Sequence, residues 1–254
     1  MRALIRYGPA LAFLLLLWHL GSLALGSFLL PPPAEALALF GRSLLTRPFW
    51  EHMGASAWRA VAGLGLAWCV AFPLGLALGH ARRLDRVAAP LVFLTYPLPK
   101  IVLLPLFLTL FGLGDAPRIL LIALTTGYQI LVVTRAAAAR LDRRYLDSFR
   151  SMGGPTRGAT GALALHVLVP AALPEALTAL RLASGTAVAV LFMAESFATR
   201  RGLGFVIMDA WGRGDQAEML CAILAMSALG ALLHEGCGCL ESLLCRWKRV
   251  ETGR

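Results

Sequence analysis

Two ionisable residues sit where water is scarce. Lys100 lies within the run Val87–Gly114, which is otherwise free of charge, and Glu195 is the only acid in the apolar stretch from 177 to 199. An ionised side chain in hydrocarbon costs several kcal/mol unless it finds a partner or a wet cavity, so such residues mark either a solute route or an architectural tie. For Lys100 two readings stand side by side. In the first it lines a translocation route or holds its inner end, paired with Glu195. In the second it makes an interhelical ion pair or bonds to a carbonyl freed by Pro97 or Pro99. Tyr96, Tyr128 and Gln129 could add polar contacts to such a route, though amphipathic rings also settle at membrane interfaces.

Other chemistry finds little support in the residues. Cys237-Gly-Cys239 followed by Cys245 has the look of a metal cluster, but residues two apart on a helix point to different faces. His19, His80 and His234 stand alone, without a second ligand at metal spacing. There is no His-Glu-x-x-His pair and no nucleophile with a neighbouring base, which argues against an intramembrane enzyme. A phosphate-cradling Gly-x-x-x-x-Gly-Lys-Ser/Thr loop is missing too, so any ATP-driven process must place ATP and Mg on another chain and none in this one.

The elements that must position these residues are hydrophobic helices. Of 254 residues, 58% are hydrophobic and 15% charged, against roughly 25% charged in a soluble domain. With about 20 apolar residues needed per span, the chain is predicted to be a single all-α membrane domain over residues 1–254. Its six spans are expected at about 9–30, 58–80, 87–112, 117–138, 177–199 and 219–244. Pro31-Pro32-Pro33 opens an exterior loop running to about Gly54. Gly75 and Gly79 have the spacing of a close helix–helix seam, and prolines 90, 97, 99 and 105 make the third span irregular.

Net charge is +10, and all but Lys100 and Lys248 of the 24 basic residues are arginine. Such a balance can indicate nucleic acid, but in a membrane chain it reflects cytoplasmic loops. Sixteen basic residues fall on the side of the N-terminus and seven on the other. Both termini are therefore expected in the cytoplasm. On that side lies the longest polar segment, about 140–176, dense in arginine, glycine and proline. Long loops tend to carry function.

Within that loop, Asp147-Ser-Phe-Arg-Ser-Met-Gly153 and Val167-Leu-Val-Pro170-Ala-Ala-Leu-Pro174 resemble the cytoplasmic signature of ATP-binding-cassette (ABC) importer permeases. Tyr96-Pro-Leu-Pro-Lys-Ile-Val-Leu-Leu-Pro-Leu-Phe-Leu-Thr-Leu-Phe-Gly-Leu-Gly-Asp115 is similar to the nitrate, sulfonate and taurine branch, as is Ala194-Glu195 followed by Gly202-Leu-Gly204. The loop departs from the family in its triplet, Asp147-Ser148-Phe149 in place of Glu-Ala-Ala, and in its spacing, with Gly153 lying 17 residues before Pro170.

The resemblance implies a type I importer permease of the bacterial inner membrane that works as a homodimer. Its implied partners are cytoplasmic ATPase subunits, an extracytoplasmic binding protein and membrane lipid, with no nucleic acid. It further implies a coupling helix in the loop that docks on the ATPase, with Asp147, Arg150, Met152, Gly153, Arg157, Pro170 and Pro174 belonging to the coupling segment. The cargo would be a small solute, nitrate-, sulfonate- or taurine-like or vitamin-like. For Arg157 and His166 a solvated loop face is an equal reading. An ion-coupled transporter working alone, which would show internal repeats, and a non-transporting assembly protein are the alternatives.

Overall fold

A computed structural model describes residues 2–141, 143–151 and 160–247, and every described element is helical. The helices are α1 (Arg2–Leu25), α2 (Pro33–Ser43), α3 (Arg47–His80), α4 (Arg82–Thr95), α5 (Leu104–Phe111), α6 (Ala116–Ala139), α7 (Arg143–Ser151), α8 (Thr160–Leu163), α9 (Val169–Glu195), α10 (Leu203–Arg213) and α11 (Gln216–Leu244). A tight 3₁₀ turn, Lys100–Leu103, leads into α5, and a π turn, Ala164–Leu168, joins α8 to α9. Among the described residues, five segments are long and apolar enough to span a bilayer. The pair α4 and α5, bent by 85°, adds a sixth if the two together make one crossing.

Packing decides that question. Along α3, Gly63, Gly75 and Gly79 meet Ile122, Thr134 and Ala138 of α6, a constant offset in sequence. Two helices touching at constant offset run parallel, so the chain between them must return across the bilayer once. The bent pair is therefore a crossing, which gives six spans among the described residues. The contact is close because glycine has no side chain: a Cβ at Gly79 would stand 2.5 Å from the Arg135 carbonyl oxygen, and one at Gly75 2.7 Å from Thr134 Cβ. This is the seam that the glycine spacing predicts.

Several boundaries differ from expectation. The segment after Pro31-Pro32-Pro33 is not an extended loop, because Pro33 starts α2 from the first helical position, where its missing donor costs nothing. Helix α3 begins at Arg47 and has 34 residues, about 51 Å at 1.5 Å per residue, so its polar first turns reach beyond a core of about 30 Å. The fifth span also starts earlier. Gly161–Glu195 is one apolar stretch of 35 residues, and Pro170 and Pro174, which the sequence assigns to the polar segment, lie inside it. Pro170 cannot donate to the preceding turn. Just before it the ladder shifts register, with the Val169 N–H bonding to Ala164 O five residues back.

The chain divides into two compact units, Met1–Ala57 with Glu195–Leu229, and Trp58–Ala194 with Gly230–Arg254. In the second, a cluster of Leu76, Ala138, Leu168 and Ala172 joins the C-terminal ends of α3 and α6 to the π turn and α9. There α9 also lies antiparallel to the last turns of α11, through Val188 at Gly230, Arg181 Nε to His234 Nε2 at 3.0 Å, and Thr178 Oγ1 to Glu241 Oε1 at 3.1 Å. In the first unit, Arg213 closes the turn between α10 and α11 by bonding Glu218 at 2.6 Å and Asp209 at 2.9 Å. Those two carboxylates, Glu218 foremost, raise the guanidinium's pKa above its ordinary value.

Candidate functional site

The broken third span builds a polar node at mid-membrane. Pro97 and Pro99 deny α4 the donors it would need to continue, so the helix stops at Thr95. The carbonyl of Thr95 is the one that Pro99 would otherwise bond. Lys100 Nζ donates to it at 3.3 Å and to the Tyr96 carbonyl at 2.6 Å, capping the helix that its own turn interrupts. The ammonium also lies 4.2 Å from the Tyr128 ring centroid and 5.3 Å from that of Tyr96, distances at which cation–π attraction adds about 0.5–2 kcal/mol. Tyr128 is halfway along α6, about 17 Å from either end, which puts Lys100 near the bilayer midplane.

Around this node, Tyr128 Oη and Thr95 Oγ1 are 2.8 Å apart, and the adjacent Gln129 turns to α9 and donates to Thr186 Oγ1 at 3.1 Å. Tyr128 also forms part of the wall of an apolar cavity of about 480 Å³ among α3, α5 and α6, which includes Leu66, Val70, Leu74, Phe107 and Phe111. Thus Lys100, Tyr96 and Tyr128 come together, with Gln129 one residue along. Both hydrogen bonds of Lys100 go to carbonyls, which leave its positive charge in place.

Glu195 has a separate role in the first unit. It ends α9 and is 1% exposed. Its carboxylate accepts the Ser56 hydroxyl at 2.8 and 2.9 Å and the backbone N–H of Gly204 at 2.9 Å. Ser56 Oγ in turn accepts the Leu203 N–H at 2.8 Å, and His52 Nδ1 accepts that of Gly202 at 3.1 Å. Three successive amides at the start of α10, which have no partner within the helix, are thus bound by side chains, and the anion sits at the positive end of the helix dipole. Gly202 is required twice over: its φ is +124°, and a Cβ there would overlap the Glu195 carboxylate. The pairing of Ala194-Glu195 with Gly202-Leu-Gly204 in the sequence is the written form of this lock.

Several charged residues were not legible as site members. Arg118 is fully buried and donates to the carbonyls of Ala194 at 3.2 Å, Leu113 at 2.9 Å and Gly114 at 2.5 Å. Arg59 bonds Asp115 at 2.7 Å, and Arg135 makes a two-point pair with Asp85, one bond of it 2.8 Å. Arg59 and Arg135 thus tie the two ends of α6 to α3 and α4, and Arg118 ties its first turn to the end of α9. Only the interleaving of Arg59, Asp115 and Arg118 around the ends of apolar runs could have signalled this.

In the segment 140–176, Asp147 is exposed on α7, while Met152, Gly153 and Arg157 lie outside the described residues, as does the side chain of Arg150. Helix α7 exposes Arg144, Tyr145, Asp147, Ser148 and Ser151, and the Phe149 ring stacks on His166 of the π turn. Among the described residues there is no group of three or more His, Cys, Asp or Glu able to hold a metal ion.

Comparison with known proteins decides the class. The family described as binding-protein-dependent transport system inner membrane component matches residues 71–234. The chain belongs to that family. Membership makes it a transport subunit of the inner membrane whose ATP hydrolysis is done by a separate ATPase, and it implies a substrate-binding protein as well. As a permease it is 30% identical to the taurine transport system permease protein TauC of Escherichia coli K12, over 94% of this chain and 88% of that protein. It is 28% identical to the putative aliphatic sulfonates transport permease protein SsuC of the same organism, over 91% and 87%. The riboflavin transport system permease protein RibX of Chloroflexus aurantiacus is 30% identical, over 94% and 88%. Among solved structures, a chain of the MetNI methionine ABC transporter in an inward-facing conformation superposes with a TM-score of 0.65, covering 78% of this permease and 98% of that chain at 18% identity. That likeness confirms the permease fold.

Proposed function

We propose that this permease pairs with a second copy of itself to form the pathway of an ATP-driven importer, with both termini in the cytoplasm. The pathway passes the node of Lys100, Tyr96, Tyr128 and Gln129, and α7 couples it to the ATPase. ATP and Mg belong to the ATPase, and this chain carries no cofactor. The observation that carries the reading is the break in the third span, which holds a cation and two aromatic rings at mid-membrane. Interrupted helices near the midplane are where transporters of several folds bind their cargo.

A cation and an apolar cavity that share Tyr128 suit a small organic anion, with an oxyanion near Lys100 and a carbon skeleton against the cavity wall. A taurine-like or sulfonate-like solute fits that description and agrees with the cargoes named for two of the relatives. Glu195 belongs to the support of the pathway, as the anchor of α10, and not to its lining.

Uptake by Lys100→Met and Lys100→Arg permeases, assembled with their ATPase and binding protein in proteoliposomes, tests this. Loss of one favourable charge contact in the pathway, worth about 1.5–3 kcal/mol, lowers uptake tenfold or more for methionine, with arginine recovering most of it. Normal uptake by the methionine variant removes Lys100 from the pathway.

A further inference from the structure

The foot of α9 carries a feature that the transport reading does not use. Phe149, half-buried on α7, stacks on the His166 ring with centroids 6.4 Å apart and planes 24° apart. The histidine is held from behind, its Nδ1 standing 2.9 Å from the Ala162 carbonyl oxygen. A carbonyl can only accept, so Nδ1 carries the proton and the ring orientation is fixed. His166 lies in the π turn, where the helix ladder changes register. Such turns occur as single insertions, often at functional sites. On the inner side of the same turn Val167 and Leu168 are buried, and Leu168 packs with Leu76 of α3 and Ala138 of α6.

A contiguous chain of packed groups therefore runs from the exposed face of α7, through the two rings, to the turn and on to the parallel α3 and α6 pair. We propose that the Phe149–His166 stack is the joint through which movement of α7 drives α9, with the π turn as the point of give. Phe149 and His166 are positioning residues, acting through α9 on the pathway. This inference rests on the reading that α7 docks on the ATPase.

The test uses the full complex in proteoliposomes and reads solute moved per ATP hydrolysed. Phe149→Ala and His166→Leu are each expected to lower that ratio by about tenfold, the scale of coupling carried by a single packed contact. His166→Phe, which restores a flat ring, is expected to bring it back to within about twofold of the parent, which a merely structural role for the side chain would not require. If Phe149→Ala gives no assembled complex, Phe149→Leu, which keeps the bulk and loses the ring, is read in its place. A parental ratio in the ring-less variants overturns the joint. A photo-crosslinking residue in place of Ser148 separates the two levels. Crosslinking to the ATPase with an unchanged ratio defeats the joint alone, whereas no crosslinking in the parent background defeats the docking of α7.

Discussion

At the residue scale, the buried carboxylate and the mid-membrane ammonium solve the same problem in opposite ways. Glu195 is satisfied by a hydroxyl and an amide aimed at it, and its charge is spent on holding the first turn of α10. Removing it strands Ser56 and the Gly204 N–H in a buried site. Glu195→Ala should therefore destabilise the protein by about 3 kcal/mol, since bonds to a charged group contribute about 1.5–3 kcal/mol each. A lower thermal unfolding midpoint in detergent, matched in direction by Gly202→Ala, is the expected readout. A midpoint equal to the parent in both variants would show that the lock carries no stability. Arg118, bonded to three carbonyls with no exposure, is expected to be as sensitive: Arg118→Met should lower the midpoint about as far as Glu195→Ala.

At the scale of elements, the α3 and α6 seam is a close backbone contact in the second unit and sets the direction of the chain. Gly79→Leu inserts bulk where even one carbon would stand 2.5 Å from a carbonyl oxygen. Overpacking of a well-filled contact costs about 1–3 kcal/mol and more where backbone must move. The expectation is poor accumulation in the membrane and a depressed midpoint, whereas Gly54→Ala in the N-terminal turns of the same helix, where nothing lies within 4 Å, should behave as the parent. The third span obeys a different rule. Its bend comes from missing donors, and Lys100 repairs the loss by bonding the carbonyl that Pro99 leaves open.

At the scale of the whole molecule, the division of labour follows from family membership: this chain supplies the pathway and a separate ATPase supplies the energy. A tagged chain expressed with its neighbours should co-purify with ATPase subunits at two copies each, measured by native mass spectrometry. A single copy of the permease per complex would rule out the homodimer. Orientation is checked by cysteine labelling in a background without native cysteines. Thr199→Cys, beyond the end of α9, should react with an impermeant maleimide from outside the cell, and Ser148→Cys on α7 should not.

The sequence by itself determined the membrane character, the set of crossings and the irregularity of the third. Hydrophobic run length and proline placement act locally and need no tertiary partner. The spacing of Gly75 and Gly79 also announced a seam, though not its partner. What only the tertiary structure decided was which charges meet. Glu195, placed by the sequence inside a span and beside Lys100, belongs instead to the end of α9, because its partners are a serine 139 residues earlier and an amide nine residues later. For Lys100 the sequence offered a partner in Glu195 or a carbonyl freed by Pro97 or Pro99; the structure gives the carbonyls and adds Tyr128 on α6. Pairings between distant positions are set by how helices pack, and one helix's pattern of apolar residues carries no record of what faces it. The same reason hid the Phe149–His166 stack, whose two rings lie on separate elements of a segment that reads in sequence as one polar loop.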